Sequence, residues 1–364
     1  MKKYYSTQRF KEWNQKNSQS RFCRHLEFRR KKRHRNRVRN HLTYDQRSSE
    51  SSNGVDRNRM RTVYAPVNFD FMANTDEVSS FIETLNKYLE QRKPVFVELR
   101  QVQRVSYDAL TVLLSVVVRF KAKKIRFNGS MPSSATANNA LRESGFFKLL
   151  FEKFDDTDRY ELATKSSINT HAKRTVDAEL GERLIVSASR TVWECQKRCT
   201  GLQRVLIELM QNTNNHASPK GKKEKLWWIS VKHDPAAKKV YFFFVDYGVG
   251  IFTSLDRKDS DNKFFHSYNR LRRKFQFGKN TKILEAIFKG ELHQTSSDKY
   301  YRGKGLPGVY KAFEANQISN LSLITNDTIF NGQSRSYNSL KTPFQGTFYS
   351  WELSEENENK PAFN

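Results

Sequence analysis

Two apolar runs, LWWISVKH (226–233) and KVYFFFVDY (239–247), are separated by a short segment that opens on Asp234-Pro235. Runs this rich in β-branched and aromatic residues, bounded by turn residues, read as two strands joined by a turn. Strands like these need a core. The chain has 364 residues and 27 Phe, and its 37% hydrophobic content is low but globular. That length is enough for two cored domains. The sequence therefore predicts an α/β protein in which helical stretches at 177–199, 205–217 and 305–317 surround these strands. ISNLSLITND and GTFYSWEL (346–353) read as final strands. Residues 252–302 are basic, polar and irregular, with one helical piece near ILEAIFKG.

A separate pattern begins near Thr62. VYAPVNFDF, PVFVELRQV (94–102) and KIRFNGS (124–130) read as strands. Residues 75–93 repeat apolar side chains at helical spacing: Val78, Phe81, Ile82, Leu85, Tyr88 and Leu89. Residues 107–123 form an apolar helix that Ser106 would cap, and 138–150 a shorter one. Strands alternating with helices suggest a small α/β domain. No internal repeat is visible.

The net charge of +27 points to an anionic partner. Residues 1–62 hold 19 Lys/Arg against 5 Asp/Glu, so about half of the excess sits in a sixth of the chain. The run 29–42 carries Arg29, Arg30, Lys31, Lys32, Arg33, Arg35, Arg37 and Arg39 and no acid. With the aromatics Tyr4, Tyr5, Phe10, Trp13, Phe22 and Phe28 before it, a basic, disordered arm of this kind suits nucleic acid through phosphate contacts and stacking. A solubilising tail with weak polyanion affinity is the other reading. Residues 46–59 read as a linker. Three cysteines, no secretory leader and no window of 18 apolar residues predict a cytoplasmic protein without a membrane span. Cys195 and Cys199, one turn apart in the helical stretch 177–199, read as buried thiols rather than zinc ligands.

Four stretches carry candidate chemistry. In VLIELMQNTNNHA (205–217), Glu208 and Asn212 fall on one face of a helix, one turn apart, and His216 repeats the step. VDYGVGI (245–251) ends an apolar strand on Asp246 and follows it with Gly248 and Gly250. YRGKGLPGV (301–309) is a glycine-rich loop opening a helix, a place where backbone N–H groups suit phosphate. GTFYSWEL opens a strand on Gly-Thr. Each alone is weak.

In this order the four resemble the N, G1 and G2 boxes and final Gly-Thr of the GHKL ATPase superfamily, over about 176–353. That superfamily includes gyrase-type topoisomerases, histidine kinases and anti-sigma serine kinases. The resemblance implies a two-layer α/β sandwich of the Bergerat type, holding ATP and Mg²⁺ between sheet and lid. Carried over residue by residue, Asn212 is the Mg²⁺ ligand and Glu208 orients or deprotonates the nucleophile. Asp246 accepts from the adenine amino group, and Gly248 and Gly250 line that pocket. Gly303, Gly305 and Gly308 set lid backbone against the phosphates, and Thr347 joins the adenine-side polar network. Lys304, within the glycine loop, would add a cation for the phosphates. Histidine kinases also carry a phospho-accepting His on a helix hairpin. No such pair stands upstream, His171 and His216 fit that role poorly, and Glu208 favours hydrolysis or transfer to a hydroxyl.

Residues 62–150 resemble a STAS domain, as in anti-sigma-factor antagonists, through VFVELRQVQRVSYDALTVLLSVVVRF, KIRFNGSMP and ALRESGFFKLL. That family's phosphorylatable Ser after an Asp is replaced here by RVSYDAL, so Ser106 reads as a helix cap. The expected organisation is a basic arm and linker (1–61), a STAS-like α/β domain (62–165) and a GHKL domain (166–364) with a lid around 252–304. The function implied is a nucleotide-dependent switch acting on a protein partner through the STAS-like domain, or on nucleic acid through the arm. The alternatives are a serine/threonine kinase of the anti-sigma type, and a nucleic-acid-binding protein with a regulatory nucleotide site. Many members of the superfamily dimerise, which leaves a homodimer open.

Overall fold

The apolar stretch after Ser106 dictates the layering, because a helix buried all round needs a cover on two sides. The structure is a computed structural model. It describes residues 60–144, 146, 159–163, 168–173, 175–216, 226–256, 268–269, 272–273, 280–291 and 305–357, with backbone alone at 159–173 and 214–216. The basic run 29–42 lies outside the described residues.

β1 (Arg61–Tyr64), β2 (Asn68–Phe69) and α1 (Thr75–Glu90) open the described chain. α1 starts with Asp76 and Glu77 in its first turn, where acids suit the helix dipole. It buries Val78, Phe81, Ile82, Leu85 and Leu89, the spacing of one helical face. β3 (Val95–Glu98), β4 (Arg104–Val105), α2 (Tyr107–Ala122), β5 (Phe127–Gly129) and α3 (Ala135–Glu143) follow. β1, β3 and β5 form a parallel sheet in that order, with β3 buried at its centre. The β3 run Val95-Phe96-Val97 is the apolar centre that a parallel sheet covered on both faces requires, and Glu98 closes the strand with its carboxylate held by Arg100.

β6 (Arg159–Ala163), β7 (Ile168–Lys173), α4 (Ala178–Trp193), α5 (Thr200–His216), β8 (Trp227–Asp234), β9 (Lys239–Asp246) and α6 (Ile251–Asp256) come next. The chain closes with α7 (Asn280–Phe288), α8 (Gly305–Glu314), β10 (Ser319–Asn331) and β11 (Ser336–Ser354). The second sheet has six strands in the order β10-β11-β9-β8-β7-β6, all antiparallel. The fold is thus mixed α/β with one parallel and one antiparallel main sheet.

Strand alternation splits the six-stranded sheet into two apolar faces. Trp227, Ile229, Val231, Val240, Phe242, Phe244 and Trp351 join the core formed with α4, α5, α7 and α8. Trp228, Val245 and Phe348 are buried but stand outside that core. They point the other way, where Phe71 meets Phe348 at 5.0 Å between ring centroids and Phe344 at 5.2 Å. Lys232 sits over the Tyr107 ring at 4.1 Å, and Asp76 of α1 accepts from the Lys341 and Thr342 N–H groups of β11 at 2.7 and 3.0 Å. So α1 and α2 cover the outer face of this sheet, and α2 has its second cover.

Both faces of the six-stranded sheet are apolar and both carry helices. Two expectations need correcting. The boundary at 165/166 falls between β6 and β7, which pair with each other from Arg159↔Lys173 to Ala163↔Asn169. The second sheet therefore begins before residue 165, and Met60–Asn364 form one compact unit. Finally, Cys195 and Cys199 are not a helical turn apart. α4 ends at Trp193 with Glu194 in the left-handed region (φ 58°), and 194–199 leave the helix, which exposes Cys195 and buries only Cys199.

Ser106 is the α2 cap: its hydroxyl accepts from the Ala109 N–H at 3.4 Å and also contacts the Asp108 carboxylate. That buried carboxylate accepts from the Phe71 N–H at 3.2 Å and the Met72 N–H at 3.3 Å, and burial pushes its pKa up. Ser106→Ala removes a cap and one donor to a buried acid, so we expect a loss of about 1–2 kcal/mol in urea unfolding.

Candidate nucleotide site

α5 positions the first group of side chains. Val205, Leu206, Leu209 and Met210 are buried in the core, which leaves Arg204, Glu208 and Asn212 in a row one turn apart. The row faces the first turn of α8. A Cβ placed on Gly305 would lie 2.9 Å from Asn212 Oδ1, 3.0 Å from its Nδ2 and 3.1 Å from Glu208 Oε2. One on Gly308 would lie 2.9 Å from Arg204 Nε. With glycine at both positions the polar heads of α5 stand directly against the start of α8. Glu208 is half-buried and desolvation pushes its pKa up, while Arg204 pulls it down. A carboxyl whose pKa is raised is a better proton acceptor than an unperturbed one. Asn212 Nδ2 is buried without a hydrogen-bond partner among the described residues. A buried polar atom of that kind costs free energy unless something pairs with it.

The second group gathers at the end of β9. Asp246 stands across the ladder from Trp227 on β8 and Thr347 on β11. Its carboxylate accepts from the Gly248 N–H at 2.8 Å and from Thr347. Burial outweighs both bonds and pushes its pKa up to about 6. Gly346 precedes Thr347 at φ 128°, with its α-carbon packed against the Asp246 carbonyl.

The loop after Asp246 is locked by two residues that the sequence reading missed. Thr325 Oγ1 accepts from the Ile251 N–H at 3.0 Å and donates to the Gly346 carbonyl at 3.2 Å. Asn326 Oδ1 accepts from the Phe252 N–H at 3.2 Å, and its Nδ2 donates to the Val249 carbonyl and Thr253 Oγ1, both at 3.1 Å. The register of β10 against β11 shifts at this point and Asn326 has φ 50°, so a bulge re-aims both side chains toward the loop. Gly250, at φ 79°, lies against the Asn326 amide. A Thr-Asn pair ending the apolar run of β10 was the available signal.

Tyr247 ties this loop to α2. Its hydroxyl lies 2.9 Å from Ser115 Oγ and donates to the Val112 carbonyl at 3.2 Å, while the Arg119 guanidinium sits 4.1 Å above its ring. Helix α2 therefore touches the turn between Asp246 and Gly248 directly.

Of the expected site residues, the structure brings Glu208, Asn212, Gly305 and Gly308 together, and sets Asp246, Gly248, Gly250 and Thr347 at the end of β9. Gly303 and Lys304 lie outside the described residues, as does most of the span 252–304. His216 ends α5, and His171 lies in β7 opposite Ile229. No group of three His, Cys, Asp or Glu that could hold a metal occurs among the described residues. An Asn oxygen with phosphate oxygens is a different donor set, suited to a hard cation. None of the helices among the described residues is long and apolar enough to cross a membrane. No protein-family model matches the chain, and no curated protein matches it at a significant level.

Proposed function

We propose that residues 176–353 form a Mg²⁺·ATP site of the GHKL kind and that the protein is a nucleotide-dependent switch. The observation that carries this is the close packing of Glu208 and Asn212 on Gly305. A metal ligand and a base meet the start of a glycine-opened helix there, and Asn212 Nδ2 has no hydrogen-bond partner among the described residues. In this reading Asn212 holds Mg²⁺ through its side-chain oxygen, and Asp246 with Thr347 receives the adenine. Bound Mg²⁺ would neutralise charge on the phosphate oxygens. Glu208 takes the proton of the attacking hydroxyl or water. The link from Tyr247 to Ser115 supports a switch, since it joins the adenine turn to α2 of the STAS-like region. Tyr64 and Val67, exposed at 66% and 52%, are the large apolar side chains that region offers a protein partner.

The test is incubation of the full chain with Mg²⁺ and γ-labelled ATP beside Glu208→Ala. We expect free phosphate from the wild type and a loss of at least about a hundredfold in the variant, with nucleotide still bound. Label on protein would move the reading to a kinase. A wild type that binds no ATP would overturn it.

A further inference from the structure

Arg204 is the third polar residue in the α5 row, and nothing in the motifs assigns it a role. It is exposed, one turn before Glu208, and its guanidinium lies on Gly308. Its place along the site follows from the packing. Gly201, at the start of α5, abuts the Gln317 side chain, just before the rung where Ser319 pairs with Glu352 and Glu352 with Tyr241. α8 runs antiparallel to α5, since Gly305 meets Glu208 and Asn212, Gly308 meets Arg204, and the chain then reaches Gln317 beside Gly201. β9 advances from that rung at Tyr241 to Asp246, about 17 Å at the usual rise of a strand. From Gly201 to Asn212, α5 advances about 16 Å at the rise of a helix. Helix and strand therefore set out from the same end over similar lengths, which puts Arg204 nearer that shared start and Asn212 farther along toward the Asp246 end. Glu208 stands about 6 Å back along the helix and Arg204 about 12 Å back.

We propose that Arg204 binds the terminal phosphate of ATP and makes the site select ATP over ADP. This rests on the ATP reading above. A nucleotide whose base is held at Asp246 and whose phosphates run past Asn212 and Glu208 brings its last phosphate to the Arg204 end of the row. ADP is one phosphate shorter and stops before it. Guanidinium suits this task, because its planar fork donates two parallel hydrogen bonds to phosphate oxygens. Its exposure leaves it free to turn from Gly308 to the ligand, and Gly308 has no side chain to block that movement. Glu208 beside it is the acid whose pKa Arg204 lowers, so on binding phosphate Arg204 exchanges one anionic partner for another.

The experiment compares the full chain with Arg204→Ala and Arg204→Lys, titrated with Mg²⁺ and either ADP or a non-hydrolysable ATP analogue. Melting temperature without nucleotide serves as the fold control. We expect Arg204→Ala to lose about tenfold or more in affinity for the ATP analogue, the range of a hydrogen bond to a charged group, while ADP affinity holds within about twofold. Arg204→Lys, which keeps the charge and loses the fork, falls between. Equal losses for both nucleotides, or no loss for either, overturn the role of Arg204 while leaving the ATP site standing. A wild type that binds neither nucleotide overturns the ATP site and this role with it.

Discussion

Asp246→Asn is expected to make the protein more stable and, on the proposed ATP reading, to weaken nucleotide binding about tenfold to a hundredfold. The stability half follows from the carboxyl's raised pKa. In the folded protein it titrates near 6, against 3.8 for an unperturbed Asp. The folded state therefore holds the proton more tightly than the unfolded chain, and stability rises as pH falls from above 6 toward 3.8. Above pH 6 the ionised, desolvated carboxylate costs about 3 kcal/mol at most, from 1.36 kcal/mol per pKa unit. Asn cannot ionise, so the variant regains about 1–3 kcal/mol at pH 7.5 and shows no advantage at pH 3.5. The binding half rests on the proposed ATP reading and follows from hydrogen-bond polarity. Gly248 N–H already occupies one carboxylate oxygen. Asn satisfies that N–H with its own oxygen and turns its NH₂ toward the adenine amino group, donor against donor. A mismatch of that kind costs about 1–3 kcal/mol, or tenfold to a hundredfold in affinity. In the wild type, ATP affinity should fall as pH drops below about 6, and in the variant it should be flat. Thermal melts and ATP titrations at pH 5 and 7.5 give both readouts. Loss of both stability and binding at neutral pH would mean that Asp246 is an ordinary structural residue.

That carboxylate was legible in the sequence because an acid ending an apolar strand before two glycines is an unusual place for a charge. The α5 row was legible for a similar reason, since helical spacing alone puts Glu208 and Asn212 on one face. Other features depend on long-range register, which local patterns do not carry. β10 reads as an apolar strand through Ile324, yet it is the bulge at Thr325 and Asn326 that turns two side chains onto the loop. β11 begins at Ser336, ten residues before the Gly-Thr that marks it in sequence, because its polar first half pairs with β10 across Asn331↔Ser336. The burial of α2 on both sides was implied by its composition. Which surface would cover it was not, because Phe71, Tyr247 and Phe344 come from three distant segments. The same limit explains the cysteines: a continuous helical pattern over 177–199 concealed a left-handed residue at Glu194.

Gly346→Ala should be among the most damaging single-methyl changes in the chain. The residue sits at φ 128°, where side chains are strained. Its Cβ would lie 2.1 Å from the Asp246 carbonyl oxygen and 3.1 Å from the Tyr247 α-carbon. Both neighbours are backbone, so no rotamer change relieves the contact. The strand must move instead, and that breaks the Thr347↔Asp246 rung and the bond from Thr325 to the Gly346 carbonyl. The expected loss is roughly 3–5 kcal/mol, enough to unfold a marginal domain. Gly250→Ala is the control. It too has positive φ, but its close neighbour is the Asn326 amide, which can swing away. The swing forfeits the three bonds that Asn326 makes to the loop, so about 2 kcal/mol is expected. Urea unfolding at pH 7.5 ranks the two. Should Gly346→Ala melt like the wild type, the turn after Asp246 is not built on that rung. If instead Gly250→Ala proves the worse of the two, Asn326 is held too firmly to yield, and the bulge in β10 rather than the β9–β11 ladder fixes the position of the loop.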